Sequence, residues 1–180
     1  MITKSKVVVL AVLVAIAGLL AVFVADERIE RRRMADDRIT MRYGALMVGV
    51  AAGYTPYAVT LMDFNMAMVS EIAVRLGLRP AFFTTAWDRL FAELDTSIYD
   101  IIISSITITA ERQSAYNFSK PYMASPHEPE LFVIGLKKGN DRLTEAVNRA
   151  LEDMFNDGTM LRISIETFGR DFVTRAQQEW

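Results

Sequence analysis

Three short apolar runs, at 46–51 (LMVGVA), 81–84 (AFFT) and 99–104 (YDIIIS), alternate with two segments of helical spacing. That alternation constrains the fold more than any other feature. Between the first two runs, residues 63–76 set Phe64, Met68, Ile72 and Leu76 on one stripe, with Asp63 or Asn65 available as N-cap and Gly77 as the stop. Between the second and third, residues 87–94 (WDRLFAEL) align Trp87, Leu90, Phe91 and Leu94. Strand–helix–strand–helix–strand order requires right-handed crossovers and a small parallel sheet. The third run is continuous in isoleucine, as strands covered on both faces are. A further strand at 130–136 (ELFVIGL), a long helix carrying Leu143, Val147, Leu151 and Phe155, and a short helix ending at Gly169 complete an α/β domain. In an open parallel sheet, ligands sit beyond the carboxyl ends of the strands. Here that edge carries residues 51–57, 84–87 and 104–112.

The N-terminal part is of a different kind. Hydrophobic residues make up 52% of the 180-residue chain, and much of the excess lies in an uncharged run at 7–25. Its length matches the ~20 residues of a membrane-spanning helix. A signal peptide is the alternative, but its apolar region covers only ~7–15 residues, and Phe23 stands where cleavage wants a small side chain. The expected layout is an uncleaved anchor within 1–25, a charged juxtamembrane linker helix at 26–44 and a folded domain at 45–180. Ala11, Ala15 and Ala17, Ala21 give the anchor small-xxx-small spacing. Arg31, Arg32 and Arg33 either meet anionic headgroups or extend a solvated helix. Counted alone, Lys4 and Lys6 before the run against Arg28, Arg31, Arg32, Arg33 and Arg38 after it put the domain in the cytoplasm.

Several classes of chemistry find no residues to carry them. Without cysteine there are neither disulfides nor thiolate ligands. His127, the single histidine, stands in a proline-containing connection with no spaced partner for a metal or nucleophile and reads as a loop residue. No phosphate-cradling glycine loop and no catalytic constellation is present, so no cofactor, no metal and no enzymatic activity are expected. A net charge of −2 with no basic, aromatic-interleaved patch speaks against nucleic acid. What stands out is SSITITAERQ at 104–113, a row of hydroxyls with an arginine at a helix start. Either Thr109 caps the helix and Arg112 pairs with an acid such as Glu111, or the stretch is half of a carboxylate site.

Four segments in order carry a resemblance: LMVGVAAGYTPY, DFNMAMVSEIAVRLG, TTAWDRLFAELDTSIYDIIISSITITAERQSAYNFSKPYM and GNDRLTEAVNRALEDMFNDGTMLRI. Together, over residues 46–169, the chain resembles the extracytoplasmic solute-binding proteins of amino-acid ABC transporters, which have the type II periplasmic-binding-protein fold. The resemblance implies two lobes closing on a ligand, of which only the first is present here; the junction falls within 125–141. It also implies that Arg112, Thr107 and Ser105 hold the α-carboxylate of an amino acid, while Tyr54 and Trp87 stack on its side chain. Rim packing is the alternative for the two aromatics. Ala51 stands where members selective for cationic amino acids carry aspartate, and Asn65, replacing the usual aspartate, is read as structural. A short link, AVTLM, replaces the family's small hairpin before Asp63.

Two readings of function follow, with a shortened or engineered chain as a third. The first is a non-catalytic, membrane-anchored lobe serving as accessory or assembly subunit of a membrane-protein complex. The alternative is a weak amino-acid-binding module of an ABC-type uptake system, its cleft completed by another chain. The partners are then lipid along 7–25, a membrane protein and a small amino acid. The family's location outweighs the arginine count, so the expected placement is a single-pass inner-membrane protein with its main domain on the periplasmic side.

Overall fold

The computed structural model describes residues 39–42, 44–53, 55–125 and 129–180. The expected anchor, residues 26–38 of the expected linker helix, Tyr54 and His127 lie outside the described residues. Among the described residues no helix is long and apolar enough to cross a membrane.

The elements run β1 (Ala45–Ala51), α1 (Pro56–Arg75), β2 (Arg79–Thr85), α2 (Trp87–Asp95), β3 (Ile101–Ile106), α3 (Ala110–Ala115), β4 (Tyr116–Phe118), β5 (Met123–Ala124), β6 (Leu131–Lys137), α4 (Asp141–Asn156), α5 (Thr159–Phe168) and α6 (Thr174–Gln177). The sheet order is β2-β1-β3-β6-β4, with β5 also on β6. β1 pairs in parallel with β2 and β3, as the alternation requires. β6, however, is antiparallel to β3, β4 and β5, so the expected mainly parallel sheet is mixed. The cause is one chain reversal. β4 and β5 run in the direction of β3, and β6 runs back in the slot between β3 and β4. The Ser125 N–H donates to the Glu130 carbonyl at 2.8 Å across that reversal.

The first helix departs most from expectation. It begins at Pro56, not at Asp63, because the Thr55 hydroxyl accepts from the Ala58 N–H at 3.1 Å and proline occupies the first turn. The AVTLM link is therefore helix. Neither Asp63 nor Asn65 caps anything; both lie inside α1, Asp63 exposed and Asn65 buried. Residues 39–42 are not helical either. The Asp100 carboxylate, buried just before β3, ties them to the domain by accepting from the Met41 N–H at 2.5 Å and the Met47 N–H at 2.7 Å. Burial raises the Asp100 pKa, against the downward pull of the two amides.

The core lies on both faces of the sheet. On one, Phe64, Met68 and Ile72 of α1 meet Leu143, Val147 and Leu151 of α4. On the other, Leu90 and Leu94 of α2 pack with Tyr99, Ile102, Ile106 and Val133. Gly49 in β1 leaves room there for the Tyr99 ring to lie against the strand.

Candidate functional site

The carboxyl ends of β1, β2 and β3 are stitched together. The Ala52 N–H donates to the Thr85 carbonyl at 2.9 Å, and the Ala51 N–H donates to Ser104 Oγ at 2.7 Å. Beyond them opens a cleft of about 300 Å³. Residues 50–53 at the end of β1, Ala58, Leu61, Met62 and Asn65 on α1, Trp87 at the start of α2, and Ser104 and Ser105 of β3 form its wall. The cleft thus sits where the topology alone places it.

Ser105 has φ +53°, and the β3–β6 register is irregular between Ile102 and Ile106. A side chain in the left-handed region costs ~1–2 kcal/mol, and such strain often marks a site where backbone is re-aimed. Ser105 is also one of the residues of the cleft wall. Tyr122 is fully buried, which pushes its pKa up, and its hydroxyl lies 3.1 Å from Asn65 Oδ1.

Arg112 lies beside the cleft rather than in its wall. Its guanidinium carbon stands 5.6 Å from the Trp87 ring centroid and 5.1 Å from that of Phe91, and Nη1 donates to the Thr107 carbonyl at 3.0 Å. Each such cation–ring contact contributes ~0.5–1 kcal/mol at an exposed position. The shelf is itself held: Phe91 packs edge-on to Trp87 and at 4.9 Å against Tyr116, whose hydroxyl donates to Asp95 at 2.8 Å. Burial, and then the Asp95 carboxylate, push Tyr116 up to about 12. Thr109 does cap α3, accepting from the Arg112 N–H at 3.2 Å. Arg112, by contrast, makes no ion pair among the described residues, with Glu111 or any other acid. Most of its planar fork of donors is left open to an anion.

The five residues expected to form the site are thus brought together unequally. Trp87 and Ser105 line the cleft; Trp87, 45% exposed, is also what Arg112 stacks on. Thr107 contributes the carbonyl that braces Arg112, and Tyr54 lies outside the described residues. Asn65 and Ser104 were not anticipated as wall residues. A polar residue on the apolar stripe of α1 was the available signal, obscured by starting the helix too late. Among the described residues no group of three His, Cys, Asp or Glu side chains could hold a metal.

Comparison with known proteins agrees with this architecture. Residues 46–170 match the bacterial extracellular solute-binding proteins, family 3. The L-cystine-binding protein TcyJ of Escherichia coli (strain K12) is 32% identical over 103 residues, 54% of this chain and 37% of that protein. The L-cystine-binding protein TcyA of Bacillus subtilis (strain 168) is 28% identical over 152 residues, 79% of this chain and 55% of that protein. The chain therefore spans only about a third to a half of these relatives. An enzyme, a cyclohexadienyl dehydratase of Pseudomonas aeruginosa, is also among the relatives, 30% identical over 98 residues. The crystal structure of the arginine-bound form of domain 1 from TmArgBP superposes with a TM-score of 0.55 at 32% identity, covering 61% of this chain and 93% of that one. With the family pattern running through most of the folded part, from β1 into the residues after α5, the chain belongs to the bacterial extracellular solute-binding proteins, family 3.

Proposed function

We propose that this chain is a single-lobe amino-acid-binding module of an ABC-type uptake system, its cleft completed by another chain. Arg112 holds the α-carboxylate, Trp87 and Tyr54 stack on the ligand side chain, and Ser105 and Thr107 shape the grip. The observation that carries this reading is Arg112, shelved on Trp87 and Phe91 beside the cleft with no acid paired to it among the described residues. The arginine-bound form of domain 1 from TmArgBP supports the view that one lobe suffices to hold a ligand. The accessory or assembly role expected from the sequence finds no support among the relatives, most of which bind solutes.

The junction with a second lobe is taken to lie within 125–141. A one-sided cleft leaves much of a ligand in water, whereas small-ligand sites bury ~70–90% of it. Affinity near millimolar, ~4 kcal/mol, is expected until a partner covers the ligand. Residues 7–25 anchor the lobe to the inner membrane, with the domain outside the cytoplasm as in its family. Protease protection in intact spheroplasts tests that placement, and a protected domain would refute it.

The binding test is an NMR titration of the whole chain in detergent with a panel of amino acids. Resonances of Ser105, Thr107 and Arg112 should move together and stop moving in Arg112→Ala. No shift up to ~10 mM of any amino acid would refute the reading.

A further inference from the structure

Resting on that binding reading, we infer that the floor of the cleft is a hydrogen-bond-donor surface set by Asn65. It selects amino acids whose side chain ends in an uncharged acceptor oxygen, a carboxamide above all, and disfavours cationic side chains. Asn65 is only 3% exposed, yet it forms part of the cleft wall. Its orientation is fixed from behind. The buried Tyr122 hydroxyl donates to the Asn65 amide oxygen at 3.1 Å. A hydroxyl has one hydrogen to give, and giving it to the amide oxygen turns the amide nitrogen the other way. That leaves the amide NH₂ with no acceptor among the described residues, in the wall of a cleft. The NH₂ therefore meets the water of the cleft, and a ligand oxygen that displaces this water must replace its hydrogen bond.

Ser104 adds a second donor. Its oxygen accepts the Ala51 N–H, so its hydroxyl hydrogen is free to turn elsewhere. Among the described residues the remaining wall is mostly apolar, with Val50, Ala51, Leu61 and Met62, and includes neither a carboxylate nor a lysine or arginine. A guanidinium or ammonium would bring only donors to donors and lose its hydration without a counter-charge. A side-chain carboxylate would meet donors but no cation beyond Arg112, which the α-carboxylate occupies. A carboxamide oxygen meets the Asn65 NH₂ and the Ser104 hydroxyl at no ionic desolvation cost.

The test titrates the whole ¹⁵N-labelled chain with L-glutamine, L-glutamate, L-leucine and L-arginine. Glutamine is expected to bind about 10-fold more tightly than leucine or arginine, the effect of about one well-placed hydrogen bond. The Asn65 side-chain NH₂ resonances should shift with glutamine and stay still with leucine. Asn65→Asp keeps an acceptor toward Tyr122 and replaces the donor. It should remove the preference for glutamine and raise arginine relative to leucine; Asn65→Ser serves where the aspartate variant does not fold. Arginine binding as tightly as glutamine in the unmodified chain would overturn the inference. So would Asn65 variants that weaken all four ligands equally, and in both cases Arg112-dependent binding would survive. Silence of the unmodified chain toward every ligand up to ~10 mM would refute the binding reading and this inference with it.

Discussion

A methyl group at Gly49 tests whether the sheet that carries the cleft is packed as described. A Cβ built there would lie 2.4, 2.6 and 2.9 Å from Cδ2, Cε2 and Cγ of Tyr99. Carbon–carbon contact is comfortable at ~3.5–4.0 Å, so the ring must retreat by about 1 Å or β1 must bend. Retreat is obstructed. Tyr99 is buried, its hydroxyl donates to Glu93 at 2.6 Å, and its ring is 6.1 Å from that of Phe83. Overpacking a core costs ~1–3 kcal/mol, and a clash with a pinned ring face belongs at the upper end, ~2–3 kcal/mol. Urea unfolding followed by circular dichroism should report that loss in Gly49→Ala with an unchanged m-value. In a Tyr99→Ala background the same substitution should cost less than ~0.5 kcal/mol, since the obstacle is gone. A Gly49→Ala variant as stable as the parent, or an equal loss with and without the tyrosine, would refute the reasoning.

Further outcomes bear on the site and on its support. Ser105→Gly should relieve the left-handed strain and leave stability unchanged or higher by up to ~1 kcal/mol, while lowering ligand affinity; a loss of stability in thermal melts would argue against it. Asp157 is held down to about 2, first by the Thr159 hydroxyl and also by Arg75, whose Nη2 lies 2.7 Å away. A depressed carboxylate contributes stability above its unfolded pKa, and that stability is lost as pH falls from about 4 toward 2. Because Asp157 is exposed, Asp157→Asn should cost no more than ~0.5–1 kcal/mol at pH 7, with the gap closing by pH 2 in urea titrations. Asp100→Asn sets an amide NH₂ against one of two backbone donors and should cost ~1–3 kcal/mol, with faster hydrogen exchange at the Met47 amide.

The parts of the fold that were legible in the sequence are those in which one pattern speaks alone. The isoleucine run of β3, the Trp87 start of α2 and the Leu143–Val147–Leu151 stripe of α4 each became the expected element, within a residue or two at the ends. α1 was misjudged because β-branched Val59 and Thr60 obscure its first turns, although Thr55-Pro56 is itself a helix-start signal. The antiparallel return of β6 could not be read, since a strand's apolar pattern says nothing about its direction. At the site, residue type pointed to Arg112 and Trp87. The roles of Asn65 and Ser104 depend on which way a buried hydroxyl donates, and only packing determines that.

The pairing of Ser125 with Glu130 has a thermodynamic meaning of its own. The Ser125–Glu130 hydrogen bond holds the two strand ends side by side, so any folded unit with neighbouring termini could be spliced there without pulling the sheet apart. Closure entropy grows only with the logarithm of the inserted length, ~0.6 kcal/mol per doubling, a small term against the cooperative stability of a domain. Losing or regaining a neighbour at this point is therefore close to neutral for the lobe itself. What changes is how much water the bound ligand keeps.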